Sequence, residues 1–424
     1  IAVVTGAGQG IGRAVALKLA GHGAHIVLVG RTQAKLDAVA AEVIAAGGSA
    51  TVVEADVTRA GEVQRVMDAA AAVAPQLDAL AQRGTVFEQA FTPQPVCGPA
   101  RSCLQTGRYA TQTGCWRNGI RLRPEDWTFA RELDAAGYDT AYIGKWHLAD
   151  QHRTDPVPPE ERGGWDQTWE AADVLEFTSK PYALRMYDAA GEVVRGDGYR
   201  VDAQTDRVIR YLNQPKDQPF CCLVSYLEPH HQNDLHRYVA PDGYAARFAN
   251  AWVPPDLRSL PGDWPAQWPD YCGCCASLDE NLGRLVAELD RLGELEQTVI
   301  LYFADHGCHF RTRNAEYKRS CHEGSLHIPL IACGPGFDGG GRVSELTILI
   351  DLAPTICELA GAAHPDHVEG RSLLPLARGE RSGWRDDLYI QISESCLARA
   401  LRTERWKYCA TAPDQGSDGC ASRY

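Results

Sequence analysis

Three times in this chain a segment of helical period runs straight into an apolar strand: ARELDAAG into DTAYIG, DAQTDRVIRYLNQ into PFCCLVSYL, and CASLDENLGRLVAELDRLG into TVILYFAD. That succession of period 3.6 and then unbroken apolar run defines an α/β chain. Each strand stops at polar or charged residues, and in an open α/β sheet ligands collect outside the carboxyl ends of the strands. The tracts Gly144-Lys145-Trp146-His147, Glu228-Pro229-His230-His231 and Asp305-His306-Gly307 therefore become the candidate functional positions.

Residues 1 to about 76 differ in character, because all ten Trp and all sixteen Tyr lie after them. Here IAVVTG, HIVLVG and SATVVEAD alternate with helical patterns from about Ile11 to His22 and from Ala34 to Ala46, a βαβαβ half of a doubly wound sheet. Between the first strand and helix stand Gly6, Gly8, Gly10 and Gly12, which suit close approach of a pyrophosphate to a helix N-terminus. Arg31 and Asp56, each just after a strand, are candidates for a ribose phosphate and an adenine. The segment resembles the start of a short-chain dehydrogenase. The family's catalytic Ser, its Tyr-x-x-x-Lys pair and its Asn-Asn-Ala-Gly strand do not follow. The expectation is a truncated Rossmann half without dehydrogenase chemistry, with NAD(P) binding weak or absent.

The sharpest motif is Cys97-Gly98-Pro99-Ala100-Arg101-Ser102, continued by Leu104-Gln105-Thr106-Gly107-Arg108. Pro99 suits the first turn of a helix and places position 97 at its N-terminus, where an anion is stabilised. Arg101 follows one turn on, along the same face. A buried capping thiol would account for Cys97 but not for Arg101. The tract resembles the sulfatase signature, in which such a cysteine is oxidised to formylglycine by a formylglycine-generating enzyme. The Lys145, His147 and His230 tracts and Lys318 resemble further sulfatase motifs in the family's order.

The resemblance implies an alkaline-phosphatase-like mixed sheet flanked by helices, with a truncated small antiparallel sheet at the C-terminus. It implies a sulfuric ester hydrolase acting on a small anionic ester, with position 97 as a hydrated aldehyde. Asp305 and His306 would join position 97 as ligands of a divalent cation, calcium by expectation, with magnesium or manganese as the alternatives. Lys145 and Lys318 would clamp the sulfate oxygens, His230 or Lys318 would protonate the leaving oxygen, and His147, aided by Arg101, would position the diol. The family's first strand, which ends in an aspartate pair providing two more metal ligands, is absent before Cys97, and the dehydrogenase-like half stands in its place. Activity then depends on a depleted metal site. A phosphonate or phosphate monoester hydrolase on the same scaffold, and an inert chimera with weak NAD(P) binding, are the alternative readings.

The implied divisions are 1–76, 77–385 and 386–424, with the Pro- and Trp-rich stretch from Trp252 to Pro269 as an ordered excursion or lid. A net charge of -13 argues against a nucleic-acid or anionic-membrane surface. No apolar run approaches the length of a bilayer span and no secretory pattern opens the chain, so the expected location is cytoplasmic. Fifteen cysteines with adjacent pairs such as Cys221-Cys222 suit reduced thiols.

Overall fold

A computed structural model of the chain describes residues 2–59, 61–63, 66, 75–149, 154–249, 251 and 253–412. Trp252, at the head of the expected excursion, lies outside them. The chain forms two compact units, one of residues 1–79 with 235–282, the other of residues 80–234 with 283–424.

In the first unit, strands β1 (Ala2–Thr5), β2 (His25–Gly30) and β3 (Ser49–Glu54) form a parallel sheet in the order β1-β2-β3. Helices α1 (Gly10–Gly21) and α2 (Gln33–Ala45) connect them. The central strand is apolar on both faces: Ile26 and Leu28 pack with Ala16, Leu36 and Val39, while Val27 and Val29 pack with Ala55 and Val66. A Cβ on Gly12 would stand 2.2 Å from the Gly6 carbonyl oxygen, so only glycine lets α1 start this close to β1. Residues 235–282 are pinned by side-chain caps, with Gln267 accepting from the Tyr238 amide and Asp270 from that of Ala240.

The second unit carries three sheets. Strands β4 (Thr85–Phe91), β5 (Asp139–Lys145), β6 (Thr168–Ala172), β7 (Leu184–Asp188), β8 (Val193–Gly196), β9 (Phe220–Ser225), β10 (Ile300–Phe303), β11 (Leu330–Cys333) and β12 (Gly341–Ile348) divide between the first two. One block runs β8-β7-β6-β5-β9 and the other β10-β11-β4-β12, both with mixed direction. The last three strands, β13 (Asp387–Ile392), β14 (Ala398–Thr403) and β15 (Lys407–Thr411), form the small antiparallel sheet expected near the C-terminus. It packs Leu388, Ile390 and Ile392 against Phe91 and Cys103.

The mixed α/β architecture agrees with expectation, but the main sheet is divided between β9 and β10. Its consequence is visible in burial. Strand β5, paired on both sides, buries six of its seven residues, and β11, also flanked, buries all four. Strands β9 and β10 are just as apolar, yet five of six residues in β9 and all four in β10 are only half-buried.

An aromatic cluster locks the site-bearing end of β5. Tyr142, Trp146, Trp165 and Trp169 are all buried, with neighbouring ring centroids 5.0 to 5.5 Å apart. The indole of Trp165 donates to Gln105 Oε1 at 3.0 Å, tying the cluster to the helix Cys97–Thr106, and that of Trp146 donates to the Glu161 carbonyl.

Candidate active site

Four strands deliver their carboxyl ends to one place in the second unit. Six residues beyond β4, the chain turns into the helix Cys97–Thr106, whose N-cap is Val96 and so offers no side-chain cap. The helix N-terminus is left to favour an anion at position 97. Gly98 N is taken by Asn118 Oδ1 at 2.9 Å, and the helix stops at Gly107, whose φ of 63° suits glycine.

Around Cys97 Sγ stand Lys318 Nζ at 2.9 Å, His306 Nε2 at 3.2 Å and Lys145 Nζ at 3.6 Å, with the His147 and His230 side chains also near it. Cys97, Lys145 and Lys318 are each at most 2% exposed. Burial alone would push the thiol up. Lys145 and Lys318, with His306 and His147, more than offset it, so Cys97 titrates well below an ordinary thiol. In return the two lysines are held above the usual ammonium range against the pull of burial, chiefly by Cys97.

Arg101 reaches three strand ends. Its Nη1 donates to the Lys145 carbonyl and to Ser225 Oγ, both at 2.7 Å, and its Nε lies 3.1 Å from Asp305 Oδ2. One guanidinium thus joins the ends of β5, β9 and β10. His147 has φ 60° in the turn after β5, and its amide donates to the Asp173 carbonyl at 2.7 Å. Burial, then Lys145, lowers the titration of His230, whose Nε2 meets the Tyr317 hydroxyl at 3.0 Å.

The sequence motifs miss Glu176. It lies on the short helix Leu175–Thr178, 4% exposed, and pairs with Lys145 Nζ at 2.9 Å. Burial opposes its charge, but Lys145 dominates with help from His230 and His147, and the carboxyl stays far below the usual range. Asn118 and Tyr317 escaped notice too, since neither belongs to a motif.

Cys97, Asp305 and His306 place one donor atom each within 4.8 Å of one another. This set does not fit a hard divalent cation as it stands. Calcium takes about six to eight oxygen ligands, and only one carboxylate is here. Its charge is already met by Arg101, as those of Cys97 and Glu176 are by Lys318 and Lys145. Three cations face three anions, so an added dication would be uncompensated.

In the first unit Gly6 and Gly10 adopt φ of 65° and 57°. Arg31 is exposed, and Asp56 Oδ1 is engaged by the Thr58 amide and hydroxyl at 3.1 and 2.8 Å.

A mixed sheet flanked by helices, with a buried cysteine, two ammonium groups and three imidazoles gathered beyond its strand ends, is the architecture of an alkaline-phosphatase-like fold. The sulfatase profile matches residues 56–362, the N-sulphoglucosamine sulphohydrolase C-terminal profile residues 315–413, and the short chain dehydrogenase profile residues 1–94. The chain belongs to the sulfatase family, hydrolases of sulfuric esters. It is 29% identical to the ulvan-active sulfatase of Formosa agariphila over 369 residues, covering 82% of this chain and 71% of that one. A solved structure from glycosaminoglycan metabolism by Bacteroides thetaiotaomicron superimposes with a TM-score of 0.71 at 20% identity, covering 81% of this chain and 80% of that one. The phosphonate monoester hydrolase of Silicibacter pomeroyi does so with a TM-score of 0.60 at 25% identity, covering 80% and 82%. Among the described residues, no helix is long and apolar enough to cross a membrane.

Proposed function

We propose that the second unit hydrolyses monoesters of sulfate, with position 97 as nucleophile once a formylglycine-generating enzyme has converted it. The observation that carries this is the Cys97 sulfur held between Lys318 and Lys145 at a helix N-terminus. Converted, position 97 supplies a geminal diol, one hydroxyl to take the sulfuryl group and the other to expel it as the carbonyl re-forms.

The chain's own residues do the rest. Lys145 and Lys318 bind the sulfuryl oxygens and offset the charge that grows on them, which a preorganised and dry site does at little reorganisation cost. Glu176 keeps the Lys145 ammonium charged and fixed. His306, hydrogen-bonded at position 97, and His147 beside it orient the group there and accept its proton. Lys318 or His230, both beside position 97, donates the proton to the departing oxygen. Arg101 serves by position, fixing Asp305 and the end of β5.

The substrate is a small anionic ester in a protein active in the cytoplasm, with residues 1–76, 77–385 and 386–424 as its ancestral parts. Calcium, magnesium or manganese would sit beside Asp305 and His306 only with further carboxylates. The likeness to a phosphonate monoester hydrolase supports a second reading, since sulfate and phosphonate monoesters present similar tetrahedral anions. Rates on 4-nitrophenyl sulfate and on a 4-nitrophenyl phosphonate, measured side by side on aldehyde-bearing protein, decide between them. Faster phosphonate turnover would displace the sulfatase reading.

A further inference from the structure

The link between β13 and β14 of the small C-terminal sheet sets one carboxylate against two parts of the active site at once. Glu394, in that link, accepts from the Asn118 backbone amide through Oε1 at 2.7 Å, and its Oε2 lies 2.6 Å from Arg319 Nη2. Each partner is one step from position 97. Asn118 turns its own Oδ1 to the Gly98 amide at 2.9 Å, in the first turn of the helix Cys97–Thr106. Arg319 follows Lys318, whose Nζ stands 2.9 Å from Cys97 Sγ.

Both arms are closely held. A Cβ on Gly98 would stand 3.1 Å from Asn118 Oδ1 and 3.2 Å from the His147 carbonyl oxygen, so Asn118 and the helix start are in direct register. On the other arm, Ser395 Oγ donates to the Arg319 carbonyl at 2.8 Å and Asn314 Nδ2 to the Lys318 carbonyl at 3.3 Å. Arg319 and Glu394 have φ of 64° and 70°, in the left-handed region that side chains disfavour. Backbone of that kind at both ends of one ion pair is kept by tertiary contacts, not by local preference. Arg319 Nη1 also donates to Glu316 Oε2 at 2.6 Å, so its charge is matched without Glu394. What Glu394 adds is the connection to Asn118.

We propose that Glu394 is a positioning residue, whose carboxylate sets the spacing between the helix start that carries position 97 and the backbone that carries Lys318. The joint stands on its distances alone, whereas its service to turnover rests on the hydrolase reading. Reacting groups displaced by about 1 Å can cost on the order of 100-fold in rate, so a carboxylate outside the chemistry can still control it.

The test uses the full chain with Glu394→Gly, which removes the carboxylate while relieving the left-handed backbone, and Glu394→Gln, which keeps an acceptor for Asn118 but not the charge at Arg319. On aldehyde-bearing protein, Glu394→Gly should lower kcat on 4-nitrophenyl sulfate by about 10-fold to 100-fold, with KM changed by less than about three-fold. Glu394→Gln should fall between it and wild type. Lys407→Ala, which removes an ion pair from the same small sheet to Glu323, should match wild type. In an Asn118→Ala, Arg319→Ala background, where both arms are already cut, Glu394→Gly should change kcat by less than about two-fold. Wild-type kcat in Glu394→Gly, or the same fold-loss in both backgrounds, would overturn the proposal. Hydrogen exchange on unconverted protein tests the joint without any chemistry: residues 97–104 and 314–320 should both exchange faster in Glu394→Gly, and a change in one or neither would overturn it. A wild-type protein that exchanges as described yet hydrolyses no ester would refute the hydrolase reading instead, so the two failures are separable.

Discussion

Substituting Glu176→Gln isolates the contact that holds the cationic clamp in place. Lys145 is 1% exposed, and its ammonium has Glu176 at 2.9 Å and Cys97 Sγ at 3.6 Å. Removing one partner of a buried ion pair costs on the order of 3–5 kcal/mol, because the remaining charge is left in a poorly solvating interior. Here Cys97 remains as a second anion, so the expected loss lies at the low end, about 3 kcal/mol. Urea unfolding at neutral pH, followed by fluorescence of the buried Trp146, Trp165 and Trp169, reads it as a lowered midpoint at unchanged slope. Glu176 titrates below its unfolded value, so its contribution is complete above the ordinary carboxylate range and declines only as pH falls below that range. The difference between wild type and variant should therefore shrink in acid and hold steady from neutral pH upward. The double substitution Glu176→Leu with Lys145→Met, which removes both charges, should recover most of the loss. A loss below about 1 kcal/mol for Glu176→Gln would refute the reasoning, since it would place the pair in a solvated setting.

Three further outcomes are expected. Lys318→Ala should lower kcat on an aryl sulfate by about 100-fold to 1,000-fold, the usual cost of removing one preorganised donor to a developing oxyanion, and a change confined to KM would remove Lys318 from the transition state. In unconverted protein, iodoacetamide at mildly acidic pH should label Cys97 ahead of Cys221, Cys222 and Cys103, whose thiols burial pushes up, and peptide mass mapping showing the reverse order would contradict the thiolate. Calorimetric titration with NADP and NAD should show no binding at about millimolar cofactor, because Asp56 is engaged in its own turn; saturable heat would return the first unit to the dinucleotide binders.

The strands and their functional ends were legible because each signal is local. Unbroken apolar runs mark β5, β9 and β10, and the polar residue that stops each run is the one delivered to the site: Lys145, Ser225 and Asp305. Position 97 was equally plain, since a proline in the first turn fixes the helix start. Glu176 was not legible, because a glutamate on a four-residue helix has no periodicity and meets Lys145 only through the tertiary fold. The further partners of Arg101 were not legible for a related reason. Helical spacing places it near Cys97, but its length carries the guanidinium past that residue to Ser225 and Asp305. Division of the sheet between β9 and β10 depends on pairing between strands about eighty residues apart in sequence, and no local pattern reports that a neighbour is missing.

The central claim is that position 97 is the nucleophile of a sulfate ester hydrolase, and one titration tests it most directly. Protein produced with graded amounts of a formylglycine-generating enzyme would be assayed for aldehyde content of the Cys97 peptide by mass and for turnover of 4-nitrophenyl sulfate. Turnover is predicted to rise in proportion to aldehyde and to vanish in Cys97→Ala. Turnover that ignores aldehyde content, or fully converted protein that leaves the ester intact, would contradict it.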